Sequence, residues 1–106
     1  MSVRRIKEVV QSSSKTTAVT ANGYDGIITT VALTDAAGSS FDFTVNNDKV
    51  QETSTIMLTP VYAGKTGDVK AVLVSQTKGS FVVKVSNVGV AVLNAVAKIQ
   101  FKVTHN

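Results

Sequence analysis

The sequence predicts an all-β fold, a small sandwich or barrel with an extended N-terminal arm, and three observations carry that prediction. Apolar and polar residues alternate with period two in several short runs, most cleanly near the C-terminus. Roughly seven or eight such runs are separated by turn signals rich in Gly, Asn and Asp. Valine dominates the composition, with alanine behind it and threonine and serine abundant, a choice that suits pleated, half-buried surfaces. At 106 residues the chain is of single-domain length. A domain of this size buries roughly 65% of its unfolded surface, enough for one modest core.

Residues 1–14 read as the arm and 15–106 as the sandwich. Val3, Ile6, Val9 and Val10 would fit a short amphipathic helix. Their β-branching and the lack of an N-cap favour an extended arm or first strand instead. Three serines at 12–14 follow as a linker. Residues 15–21 (KTTAVTA) read as a strand and NGYDG at 22–26 as a turn, since Asn-Gly is a strong tight-turn dipeptide. The next strand spans 27–34, with Ile27, Val31 and Leu33 on one face and Ile28 and Ala32 on the other. Apolar residues on both faces predict cover on both sides, from sheets or from a neighbouring subunit.

DAAGSS at 35–40 is a loop. The run to Val45 places Phe41, Phe43 and Val45 inward and Asp42 and Thr44 outward. NNDK at 46–49 is a polar turn. STIMLTPVYA at 54–63 is a longer strand whose Pro60 cannot donate to a ladder, so it is an edge strand or is bent there. GKTGD at 64–68 reads as a hairpin-like turn, 69–75 as a strand and QTKG at 76–79 as a turn. In the C-terminal pair, Phe81, Val83 and Val85 share one face, as do Ala97, Ile99, Phe101 and Val103. Gly89 and Asn94 mark the stretch between as a loop.

Composition excludes several classes of chemistry. The chain has no cysteine, which rules out a disulfide framework and thiolate-bound zinc or iron–sulfur clusters. Its single histidine, His105, is penultimate, so the histidine-based catalytic arrangements would rest on one terminal residue. Of the seven acids most sit in turn segments, with no DxDxDG loop and nothing that selects a pair for acid–base work. The GKT within GKTGD is not a P-loop, because position 59 is Thr59 where a glycine is required. No enzyme, cofactor or metal site is expected. No apolar run approaches the length of a membrane span, and MSVRRIKEVVQ lacks the apolar core of a secretory signal. The net charge of +4 comes mostly from lysines spread along the strands, as expected for guarded strand edges. Aromatics do not interleave with them, which argues against nucleic acid as a partner. The exception to that spread is the cluster Arg4, Arg5 and Lys7.

The C-terminal stretch GSFVVKVSNVGVAVLNAVAKIQFKV resembles a recurring ending in small virion proteins of tailed bacteriophages. Its pieces are Ser80 to Asn87 (SFxVxVxN), Gly89 to Asn94 (GxAxLN) and Ala97 to Val103 (AKIxFxV). SSFDFTVNND and VLVSQTKGSF fit the same style, so that the likeness covers about two-thirds of the chain. The resemblance implies a single antiparallel β-sandwich, of jelly-roll type, that decorates a capsid as a homotrimer bound to the major capsid protein, or serves in a tail or fibre. A cyclic trimer would also supply the cover that two-faced apolar strands need. The expected contacts are Arg4, Arg5, Ile6 and Lys7 toward the capsid, and Tyr24 and Tyr62 toward a neighbouring subunit or ligand. The expected location is the virion. A monomeric sandwich that binds a glycan or protein through Tyr24 and Tyr62 is the reading from a different class.

Overall fold

The computed structural model describes residues 7–104. Eight strands form two four-stranded sheets that face each other, and no described residue is helical. The strands are β1 (Lys7–Val10), β2 (Val19–Thr20), β3 (Asp25–Thr29), β4 (Ser40–Asn46), β5 (Thr55–Tyr62), β6 (Val69–Thr77), β7 (Ser80–Asn87) and β8 (Ala97–Thr104). Sheet I has the order β1-β3-β8-β5 and sheet II the order β2-β4-β7-β6. The fold is an all-β sandwich, as expected.

The core lies between the sheets and is built by the alternating runs. Phe41, Phe43 and Val45 of β4, Phe81, Val83 and Val85 of β7, and Ile99, Phe101 and Val103 of β8 are all buried. The outward residues Asp42, Lys98, Gln100 and Lys102 are exposed. The two C-terminal strands are not hydrogen-bonded to each other. Each is an inner strand of its own sheet, and they meet across the core, where the Phe81 and Phe101 rings make an edge-on contact with centroids 5.7 Å apart. Phe and Val on facing strands thus join the layers without any cross-link.

Pro60 fulfils its expectation. β5 is the outer strand of sheet I, with β8 on one side only, and Pro60 lies opposite Ile99. At the matching edge of sheet II, β6 carries a bulge between Leu73 and Ser75, which leaves Val74 unpaired in the register. A proline and a bulge both hinder further strand addition.

Several boundaries differ from the sequence reading. Only Val19–Thr20 of the expected strand at 15–21 pairs. The strand expected over 27–34 stops at Thr29, because the Thr30 hydroxyl accepts the Ala97 N–H (2.9 Å) and turns the chain out of the sheet. Leu33 still reaches the core, from the loop. GKTGD is not a hairpin turn, since it carries the chain from β5 in sheet I to β6 in sheet II. The β6–β7 connection is the hairpin, with Gly79 at φ 92° in its turn.

The sandwich is not wholly antiparallel. β1 runs parallel to β3 and β2 parallel to β4, while the other pairs are antiparallel. The six antiparallel strands interleave as β3-β8-β5 over β4-β7-β6. A complete jelly roll has eight antiparallel strands in two Greek keys, and here the remaining two strands are the parallel pair added along one side. Residues 7–10, assigned to the arm from the sequence, are therefore the other outer strand of sheet I, opposite β5.

The segment between β1 and β2 is pinned at two points. Buried Gln11 donates from Nε2 to the carbonyls of Lys15 (2.7 Å) and Thr17 (3.1 Å). Lys15 Nζ lies 2.8 Å from Asp35 Oδ2 and over the Phe41 ring. The Asp35 side chain is only 3% exposed and the lysine 42%. Removing the lysine strands a buried carboxylate, which costs far more than losing a surface pair. We expect Lys15→Met to lower stability by about 2 kcal/mol, below the range for fully buried pairs because the lysine is half exposed. Adding Asp35→Asn should recover most of the loss, as measured by urea denaturation of both variants.

Candidate functional site

The loop between β7 and β8 forms a tip at one end of the sandwich, beside the β5–β6 crossing. Its sequence from Val88 to Val92 is V-G-V-A-V, and the valines and the small residues face opposite ways. Val88, Val90 and Val92 are 54%, 99% and 54% exposed. Beneath them Gly89, Ala91 and Leu93 pack against the molecule, Leu93 fully buried. The result is a short comb of β-branched side chains that point into solvent.

The comb stands on a fixed frame. Asn87, the last residue of β7, is 1% exposed. Its Nδ2 donates to the carbonyls of Asp35 (3.0 Å) and Ala91 (2.8 Å). Its Oδ1 accepts the N–H groups of Gly89 (3.0 Å) and Asp68 (3.3 Å). One side chain therefore ties three loops together. Val88 N–H donates to the Asp68 carbonyl, Leu93 N–H to the Asp35 carbonyl, and the Thr66 hydroxyl to the Val92 carbonyl (2.6 Å).

Gly89 and Gly67 allow this close approach. A Cβ on Gly89 would stand 2.7 Å from the Asp68 nitrogen and 2.8 Å from the Gly67 carbonyl carbon. Gly67 itself has φ 78°, in the left-handed region that favours glycine.

The tip is flanked by positive charge. Lys65 lies in the adjoining loop, Lys70 on the outer face of β6 and Lys98 on the outer face of β8, all exposed. Against these three lysines stands, among the described residues, one exposed carboxylate at this end, Asp68, whose Oδ1 takes the Val69 N–H. Asp35 is also near but is occupied by Lys15.

The residues singled out from the sequence do not gather in one place. Tyr62 belongs to the frame, where its hydroxyl donates to the Thr66 carbonyl (2.7 Å) and accepts the Asn94 N–H (2.6 Å). Asn94 Oδ1 in turn takes the Lys65 N–H (3.0 Å). Tyr24 lies at the opposite end, 48% exposed, with Lys49 Nζ 5.8 Å from its ring centroid. Its carbonyl accepts Val103 N–H, and Val103 pairs with Ile56 at the start of β5, whereas Tyr62 ends that strand. The two tyrosines are thus separated by most of β5, about 20 Å at ~3.3 Å per residue. Arg4, Arg5 and Ile6 lie outside the described residues. Lys7 opens β1, its backbone beside Gly26, at the end away from the tip.

In the sequence the valines, with Gly89 and Asn94, mark 88–96 as a loop and are given no contact role. The signal was present, since valine at every second position of a turn segment with no polar side chain is hard to explain as mere connection. Among the described residues no three His, Cys, Asp or Glu side chains cluster closely enough to hold a metal. Comparisons with protein-family models, curated proteins and solved structures returned no match.

Proposed function

We propose that this chain is a structural virion protein, a capsid decoration or cement protein of a tailed bacteriophage, acting as a homotrimer on the outer surface of the head. The observation that carries the reading is the apolar tip held rigid by the Asn87 frame. Three exposed valines, Val90 almost wholly so, on a loop held by the Asn87 hydrogen bonds are costly for solubility and make sense as a preorganised contact. The resemblance of Ser80–Asn87, Gly89–Asn94 and Ala97–Val103 to small virion proteins points the same way.

Trimer contacts are drawn from the apolar side chains flanking the β5 and β6 edges: Met57 (61% exposed) and Val61 on sheet I, and Val72 and Val74 on sheet II. Pro60 and the bulge at Val74 hinder open-ended strand pairing there, which leaves side-chain packing in a closed ring as the means of association. Arg4, Arg5, Ile6 and Lys7 serve as additional contacts to the major capsid protein in this reading. The protein would reside in the virion, assembled in the host cytoplasm. A tail or fibre role uses the same surfaces. The monomeric glycan- or protein-binding reading lacks a converging pair in Tyr24 and Tyr62.

Sedimentation velocity at micromolar concentration should show a species near three times the 11.1 kDa chain mass. A single monomeric boundary would remove the trimer. Binding to purified capsid shells of the same virus tests the attachment itself.

A further inference from the structure

We infer that the Val88–Val92 tip, rather than the N-terminal arm, is the surface that seats on the shell, and that its occupant is a protein trough with an apolar floor and an acidic rim. The inference rests on the decoration reading and names the partner chemistry of that site.

Shape and charge select the occupant together. The tip is convex, so what receives it is concave. Val88, Gly89, Val90, Ala91 and Val92 carry no side-chain donor or acceptor, so the floor is apolar. The backbone polar groups of Val88 (N–H), Gly89 (N–H), Ala91 (C=O) and Val92 (C=O) are already bonded within the chain and need no partner groups to replace water. Lys65, Lys70 and Lys98 flank the comb on both sheet faces, against the single carboxylate of Asp68, which calls for acidic residues around the trough.

A second copy of this chain would bring the same lysines against each other, which disfavours tip-to-tip self-association. A lipid surface would also answer to lysines over an apolar centre. Interfacial anchors, however, use tryptophan and tyrosine, and the tip has neither. Valine is stiff at χ1 and loses little freedom when fixed in a shaped pocket. Those features favour a protein trough over a bilayer.

The test compares four proteins on DNA-free shells assembled from the major capsid protein of the same virus: the unaltered chain, Val90→Asp, the triple variant Lys65→Glu/Lys70→Glu/Lys98→Glu, and a chain lacking residues 1–6. Val90 is almost wholly exposed, so Val90→Asp should keep the native circular dichroism and the unaltered oligomeric state. It should lose affinity roughly tenfold or more, as for a central interface side chain. The triple variant should bind more weakly, and added salt should strengthen what binding remains, because glutamates facing an acidic rim repel it. The truncated chain should lose only a few-fold in affinity, the share of the additional contacts from Arg4, Arg5 and Ile6, since it retains the whole tip.

Unchanged binding by folded Val90→Asp, or loss of binding on truncation alone, would overturn the tip as the seat while leaving the decoration reading intact. Failure of the unaltered chain to bind shells would overturn both. Co-sedimentation of the unaltered chain, but not Val90→Asp, with phosphatidylcholine–phosphatidylglycerol vesicles and not with shells would replace the protein trough by a lipid surface.

Discussion

Phe81→Ala is expected to lower the stability of the sandwich by about 4 kcal/mol, the range for deleting a buried aromatic ring. Phe81 is 1% exposed, and its ring meets that of Phe101 edge-on between the two inner strands β7 and β8. Two losses add. The transfer energy of the ring disappears, and a cavity opens between sheets whose backbones are held by ladders on both sides and cannot close over it. The aromatic contact contributes a further share, about 1 kcal/mol beyond burial. A domain of this length has roughly 5–15 kcal/mol in total, so the variant should be close to unfolding at physiological temperature. The check is the urea midpoint at unchanged slope. Phe81→Leu, which keeps most of the volume, should cost less than half as much. Equal losses for both variants would show that ring geometry, not filled space, joins the layers.

The strands that this prediction concerns were the most legible part of the sequence. β4, β7 and β8 each bury one face and leave the other exposed or, in β7, half-buried, so period-two alternation named their inward residues without any knowledge of neighbours. Alternation says which face is buried, though, and is silent about which strand lies alongside. β5 and β6 looked like a hairpin because a glycine-rich turn joins them, yet they belong to different sheets. The two parallel edges were invisible for the same reason. What holds β1 beside β3 is Val9 packed on the core together with Gln11, whose backbone N–H reaches the Thr29 carbonyl and whose Oε1 takes Val31 N–H, and those partners lie nearly twenty positions away. β6 shows apolar residues on both faces because Val72 and Val74 sit exposed on its outer face, which reads in the sequence as burial on two sides.

The site was less legible than the fold because its meaning lies in a single polar residue. Asn87 reads in the sequence as the end of a strand, and only its four side-chain partners turn the following valines from a loose loop into a fixed display. Asn87→Leu is therefore expected to cost about 3 kcal/mol, since it leaves two carbonyls and two N–H groups without their partner in a water-poor site. Asn87→Asp should cost no less than Asn87→Leu, since it puts a carboxylate into a site that is only 1% exposed. It keeps an acceptor for Gly89 and Asp68 but presents an oxygen to the carbonyls of Asp35 and Ala91, where a donor is required. The consequence for function separates from the consequence for stability. Amide hydrogen exchange on Asn87→Leu should show the β4, β7 and β8 ladders still the slowest in the protein, while Val88, Gly89 and Leu93 exchange much faster because their bonds depended on the frame. Shell binding should then fall by more than the global destabilisation accounts for, because a mobile comb must be ordered again on docking. If the loop amides stay protected in the leucine variant, the valines are held by Leu93, Gly89 and the Thr66 bond instead, and the frame would have to be redrawn around the β5–β6 loop.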